Sequence, residues 1–104
     1  MEFIETSVFG KRVQKLLSDD DYAELQQALI KNPEAGRLIR EGHGLRKVRW
    51  ASSLNNRGKR GGIRVIYCDV SSHRIYMLYI YAKNERENLD RKQLKMLCDC
   101  MRED

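Results

Sequence analysis

The sequence lacks the features that mark several large protein classes. It contains one proline, and its longest apolar run, residues 75–82, is far shorter than the ~20 residues of a membrane-spanning helix. The opening residues, MEFIETS, have neither a basic n-region nor an apolar h-region, so we expect no signal peptide. The three cysteines, spaced C-x29-C-x-C, fit no disulfide framework and no zinc motif. These absences predict a small soluble protein of the reducing cytoplasm, without membrane contact.

Common cofactor motifs are missing as well. The chain has no P-loop, no GxGxxG and no paired Cys/His ligand set, so we predict neither a cofactor nor a metal. The glycine-rich stretch GKRGG at 58–62 precedes a predicted strand rather than a helix, and it therefore differs from a phosphate cradle. The two histidines, His43 and His73, stand alone in predicted turns.

Positive charge is concentrated in the middle of the chain. The net charge is +5 over 104 residues, a length that fits one domain spanning 1–104. Residues 1–35 hold four basic and seven acidic side chains, whereas residues 36–64 hold nine basic side chains and a single acid. Such a basic block indicates either a surface that contacts nucleic acid or a solvated loop with a charged strand face.

Hydrophobic periodicity predicts an α+β domain. Two amphipathic helices come first, with Thr6 or Ser7 capping one and a capping box from Ser18 to Asp21 opening the other. Residues 3–4 could form a short strand, and strands are predicted over 45–50, 63–70 and 74–81, the last two as an antiparallel hairpin. A final helix, capped by Asn88, follows. We therefore predict a small antiparallel sheet packed by two N-terminal helices and one C-terminal helix.

Four cations could converge on this sheet. Lys47 and Arg49 share one face of their strand, Arg64 begins the next strand, and Lys83 follows the third. The alternative is that the four lie independently at the rim. A cationic cleft suits cleavage of RNA, whose 2′-hydroxyl is an internal nucleophile, because cations stabilise the developing phosphorane. A lysine whose pKa is lowered by cationic neighbours could act as base or acid.

Three segments carry a family resemblance. The segments GLRKVRWAS at 44–52, GKRGGIRVIY at 58–67 and YIYAKNE at 79–85 together resemble the HigB branch of RelE-like toxins, and the similarity extends over nearly the whole chain. It implies a RelE-like fold and a ribosome-dependent endoribonuclease that cuts mRNA in the A site and blocks translation. It also implies an antitoxin partner of the helix-turn-helix type, with operator DNA bound only through that antitoxin.

The resemblance also assigns roles to individual residues. Arg64, in the GGIR segment, would lie exposed in the cleft and stabilise the transition state, while Lys47, Arg49 and Lys83 fall at or near basic catalytic positions. Lys47 is the first candidate for the general base and Lys83 the second; where some relatives have a catalytic Tyr, this chain has Leu89. Basic residues of the strand and loop are predicted to contact RNA, namely Arg46, Arg57, Lys59 and Arg60. The alternative is a non-catalytic module that binds RNA or the antitoxin.

Overall fold

A computed structural model describes residues 1–54, 62–86 and 88–101 of the chain. Within these residues it contains five strands and three helices. In chain order they are β1 (Glu2–Glu5), α1 (Ser7–Leu16), α2 (Asp19–Lys31), β2 (Arg37–Leu38), β3 (Arg46–Trp50), β4 (Ile63–Ser71), β5 (Arg74–Ala82) and α3 (Arg91–Cys100). None of the helices within these ranges is long and apolar enough to cross a membrane.

The two leading helices begin where the sequence predicts. The Thr6 side chain accepts a hydrogen bond from the Phe9 amide and so caps α1. Ser18 and Asp21 form the predicted capping box at the start of α2, each side chain accepting from the backbone N–H of the other residue. α2 ends at Lys31, and Asn32 forms its C-cap before the single proline.

The strands form one sheet in the order β1-β5-β4-β3-β2. β4 and β5 form the predicted antiparallel hairpin, and β3 pairs antiparallel with β4. The α+β class is confirmed. The sheet is mixed because β1 runs parallel to β5, and it gains an edge strand, β2, that the sequence does not reveal.

Side-chain alternation divides the core into two layers. α1 and α2 pack on one face, against residues such as Val65, Met77 and Ile80. The other face carries Ile66, Leu78 and Tyr81, and residues of α3 pack over it, namely Leu94, Leu97 and Met101. Every second residue of β3 and β4 therefore points toward α3.

The last helix starts later than the sequence predicts. Asp90, not Asn88, is the N-cap of α3, and it forms a reciprocal capping box with Gln93. Asn88 is freed for another contact, and Leu89 packs against the apolar cluster under α3. The prediction of an Asn88 cap was wrong because Asn and Asp are nearly equal as caps, and only the reciprocal Gln93 contact separates them.

Candidate active site

A cleft of about 940 Å³ opens on the face of the sheet that α3 partly covers. Its floor comes from β3, β4 and β5, one wall from residues 35–41 and the other from the segment that leads into α3. β4 contributes only Ile66 to the floor, and the other elements supply the charged and polar groups that line the cleft, namely Arg37, Arg40, Glu41, Lys47, Arg49, Tyr81, Asn88, Asp90 and Arg91. The cleft is thus predominantly cationic.

Strand register brings three of the predicted cations together. Lys47 and Arg49 alternate with the core residues Val48 and Trp50, so both project toward the α3 side. Arg49 lies opposite Arg64 in the antiparallel pairing of β3 with β4. Like charges on neighbouring strands destabilise a sheet, so this cluster lowers the stability of the folded protein.

Arg64 lies at the base of this group rather than exposed in it. Its relative exposure is 6 %, so the expectation of an exposed Arg64 was wrong. It occupies β4, the middle strand of the sheet, and its Nη1 donates to the Ile63 carbonyl oxygen at 3.4 Å. A residue of the central strand has a neighbouring strand on each side and so less access to solvent, and side-chain alternation alone does not report which strand is central.

The surroundings of Lys47 disfavour its positive charge. Partial burial and, next, the charges of Arg64 and Arg49 lower the pKa of its ammonium below the usual 10.5. Its Nζ donates to Asn88 Oδ1 at 2.7 Å. Lys47 is therefore a cation held among cations, with a neutral acceptor as its hydrogen-bond partner. This arrangement favours the neutral amine, the form in which a lysine can take up a proton.

Two residues near the cluster were not among the predicted site residues. Tyr81 is the register partner of Arg64 on β5 and lines the cleft. Burial raises the pKa of its hydroxyl, while the charges of Arg64 and Arg86 oppose that rise. Arg86 thus lies close enough to act on the site from the turn after β5. The register of the predicted hairpin would have placed Tyr81 next to Arg64 from the sequence alone. The position of Arg86 depends on the geometry of the turn, which the sequence does not give.

Two of the remaining predicted site residues, Lys83 and Arg46, lie outside the cluster. Lys83 is exposed in the turn after β5, with its backbone N–H bonded to the Gly62 carbonyl at 2.7 Å, and it is not among the residues that line the cleft. Arg46 alternates onto the opposite face, where it donates to Gly36 O at 2.9 Å and pairs with Asp69 at 3.3 Å. Three predicted RNA contacts, Arg57, Lys59 and Arg60, lie outside the residues that the structure describes.

An ion pair joins the two walls of the cleft. Arg91, the first residue of α3, pairs with Glu41 at 2.5 Å. Both side chains are largely exposed, so the pair adds little stability and can open at low cost. Arg37 and Arg40 lie on the same wall as Glu41 and leave an excess of positive charge at the rim. No group of three or more His, Cys, Asp or Glu side chains forms a metal-binding cluster among residues 1–54, 62–86 and 88–101.

Comparison with known families agrees with this architecture. The family model described as the RelE toxin of the RelE/RelB toxin-antitoxin system matches residues 2–102, which is almost the full chain. The match includes all five strands, all three helices and both walls of the cleft.

Proposed function

Because this chain belongs to the RelE toxin family of toxin–antitoxin systems, we propose that it is a ribosome-dependent mRNA endoribonuclease of the HigB type. In this proposal residues 1–104 act as one toxin domain that cuts mRNA in the ribosomal A site and stops translation. The observation that carries it is the group of cations at the floor of the cleft: Lys47 and Arg49 line the cleft, and Arg64, opposite Arg49 on β4, helps to lower the pKa of Lys47.

The chemistry of this cleft suits transfer of a phosphodiester to the neighbouring 2′-hydroxyl. Neutral Lys47 accepts the 2′-hydroxyl proton while the 2′-oxygen forms its bond to phosphorus and the bond from phosphorus to the 5′-oxygen breaks. The leaving 5′-oxygen takes a proton from water. The products are a 2′,3′-cyclic phosphate and a 5′-hydroxyl. Arg64 and Arg49 stabilise the negative charge that develops on the phosphorane oxygens.

The rim of the cleft supports a role on the ribosome. Arg37, Arg40 and Arg91 can contact phosphates that flank the scissile bond, and Arg46, Arg57, Lys59 and Arg60 remain predicted contacts to ribosomal RNA. The ribosome would supply the alignment of the 2′-hydroxyl with the leaving oxygen, which is worth several kcal/mol in well-oriented reactions. Since its substrate is mRNA under translation, the proposed protein acts in the cytoplasm.

Control of the activity follows from the family. RelE-family toxins pair with an antitoxin in a toxin–antitoxin module. We propose that the antitoxin here is a helix-turn-helix protein that neutralises the toxin and binds the operator DNA, so that the toxin meets the operator only through its partner.

Cleavage mapping tests the function directly. The wild-type protein and the variants Lys47→Gln, Arg64→Lys and Lys11→Gln are incubated with ribosomes programmed with a defined mRNA, and cut sites are mapped by primer extension. We expect A-site cleavage by the wild type and losses of at least ~10²-fold for Lys47→Gln and Arg64→Lys. Lys11, exposed on α1, is the matched control and retains activity.

We choose Arg64→Lys rather than Arg64→Ala for this test. Arg64 is buried, and truncating it to Ala would remove packing as well as charge. Circular dichroism confirms that each variant is folded. Folded wild-type protein that binds programmed ribosomes without cutting the mRNA would contradict the proposal and support the non-catalytic module instead.

A further inference from the structure

Asn88 accepts a side-chain hydrogen bond from Lys47, and the residues that follow Asn88 fix its position. Its Oδ1 lies 2.7 Å from Lys47 Nζ. Leu89, the next residue, packs against the apolar cluster under α3. Asp90 then holds the start of α3 through its reciprocal contacts with Gln93. Asn88, two residues before this helix cap, therefore lines the cleft from the segment that leads into α3, and its side chain contacts the strand that carries Lys47.

The groups that face Lys47 are predominantly cationic. Arg64 on β4 and Arg49 on β3 lie close enough to act on its charge, and Arg37 on β2 is its register partner. The other titratable groups of the same cleft are Tyr81, Arg40, Glu41, Asp90 and Arg91. Both carboxylates have other partners: Glu41 pairs with Arg91, and the Asp90 side chain accepts from the Gln93 amide. The acceptor that lies on the Lys47 amine is thus a neutral amide.

We propose that Asn88 is a positioning residue that holds the Lys47 amine in the cleft while adding no counter-charge to it. The inference rests on the proposed function, in which Lys47 takes up the 2′-hydroxyl proton. A neutral amine has two N–H donors and one lone pair. When one N–H donates to Asn88 Oδ1, the lone pair points away from Asn88 and is free to accept the substrate proton.

The amide is suited to this role in a way that a carboxylate is not. An anion within ~4–6 Å of an ammonium raises its pKa by about 1–3 units, so Asp at position 88 would favour the protonated form of Lys47. An apolar side chain would leave the amine without an acceptor and free to rotate about its four-carbon stem. Asn is the residue that orients Lys47 and leaves its pKa low.

The first arm of the test measures Lys47 itself, without any substrate. The pKa of Lys47 is determined by NMR titration of its Nζ and Cε resonances, assigned by their loss in Lys47→Gln. We expect the pKa to rise by about 1–3 units in Asn88→Asp and to fall in Asn88→Ala, because a hydrogen bond to the charged form is then lost. Gln27→Glu, which adds the same charge on the exposed side of α2, is the control and leaves the pKa unchanged.

The second arm measures single-turnover cleavage of mRNA on ribosomes as a function of pH. For Asn88→Asp we expect a rate at neutral pH at least ~10-fold below wild type, recovering as pH rises through the raised Lys47 pKa. For Asn88→Ala we expect a loss of several-fold that higher pH does not recover. Affinity for programmed ribosomes stays the same in both, because Asn88 acts on the chemical step.

The two arms separate this inference from the proposed function. An unchanged Lys47 pKa in Asn88→Asp overturns the positioning role, even if Lys47→Gln shows that Lys47 is essential. A raised pKa with an unchanged pH–rate profile also overturns it, since the contact then has no bearing on the reaction. Absence of wild-type cleavage refutes the proposed function by itself. If either variant fails to fold, Asn88→Ser keeps a neutral acceptor and is expected to retain the low pKa and most of the rate.

Discussion

At the scale of single residues, the site brings together positive charges that repel one another. Lys47 and Arg49 lie on one strand and Arg64 on the next, and within residues 1–54, 62–86 and 88–101 no acidic side chain forms an ion pair with Lys47. Charged groups of one sign on neighbouring strands are destabilising. A cluster of this kind is typical of a functional site, where stability is given up for reactivity.

The first prediction concerns the stability of Lys47→Met. Met keeps the length of the side chain and removes the charge, so we expect the free energy of unfolding at pH 7 to rise by about 0.5–1 kcal/mol. Chemical denaturation of both proteins at several pH values measures this. Lys11→Met, which changes an exposed lysine of α1, is the control and has no such effect.

The pH dependence has a definite sign. The pKa of Lys47 is lowered in the folded protein, so the unfolded chain binds more protons, and wild-type stability rises with pH between the folded pKa and 10.5. The advantage of Lys47→Met is therefore largest at neutral pH and narrows as pH approaches 10.5. An advantage that stays constant over this interval would show that lost repulsion is not its source.

The sequence contains enough to place these side chains on one face but not to give their depth. Period-2 alternation in β3 and β4 is a local property, and it correctly groups Lys47, Arg49 and Arg64. The burial of Arg64 depends on the place of β4 in the middle of the sheet, which the local alternation does not report. The same limit hides the contact of Lys47 with Asn88, residues separated by 41 positions.

At the scale of elements, α1 completes an edge of the sheet that β1 leaves open. β1 pairs with β5 only as far as Met77. Beyond that point side chains from the start of α1 take over the β5 carbonyls: Thr6 donates to Leu78 O at 2.8 Å and Arg12 to Ile80 O at 2.7 Å. This closes a segment of exposed edge that would otherwise invite another strand.

Arg12 also fixes the turn that follows β5. Its Nη2 pairs with Glu85 at 2.6 Å, and the other Glu85 oxygen accepts from the Ala82 amide at 3.0 Å. The guanidinium lies 5.1 Å from the centre of the Tyr79 ring. Arg12 therefore holds the turn from which Arg86 acts on Tyr81.

The second prediction is that Arg12→Ala loosens this turn. We expect the free energy of unfolding to fall by about 1–2 kcal/mol, because a charge-assisted hydrogen bond to a buried strand is lost. Hydrogen exchange should accelerate at the amides of Ala82, Lys83 and Glu85, which are bonded in this turn. Lys11→Ala is the matched neighbour on the same helix, and it should leave both quantities unchanged. Unaltered hydrogen exchange at the three amides in Arg12→Ala would show that Arg12 does not hold this turn.

A helix or strand could be predicted from the sequence where the residues that define it lie close together in the chain. The caps at Thr6 and Ser18 were found because a cap and its partner lie three residues apart. The parallel pairing of β1 with β5 joins residues more than 70 positions apart and has no local signature. β2 is two residues long and has no alternation to detect.

At the scale of the whole molecule, charge follows the two faces of the sheet. Three acidic residues at the start of α2, Asp19, Asp20 and Asp21, belong to the layer opposite the cleft. The cleft collects cations from β2, β3 and α3. The net charge of +5 is thus the sum over two surfaces that differ in charge, and the cationic cleft is the one suited to RNA.

The last prediction is that the rim sets the salt dependence of binding to programmed ribosomes. The mRNA carries a 2′-O-methyl group at the cut site, so that binding is measured without cleavage. Each phosphate contact contributes about 0.7–0.9 to the slope of log affinity against log salt, depending on whether the strand is single or paired. Arg40→Gln, a change at the rim, should weaken binding several-fold at low salt and reduce the slope by about that amount. Lys15→Gln, an equal change of charge at the end of α1, should do neither. Equal effects of the two variants would mean that net charge, and not the cleft, governs the encounter with RNA.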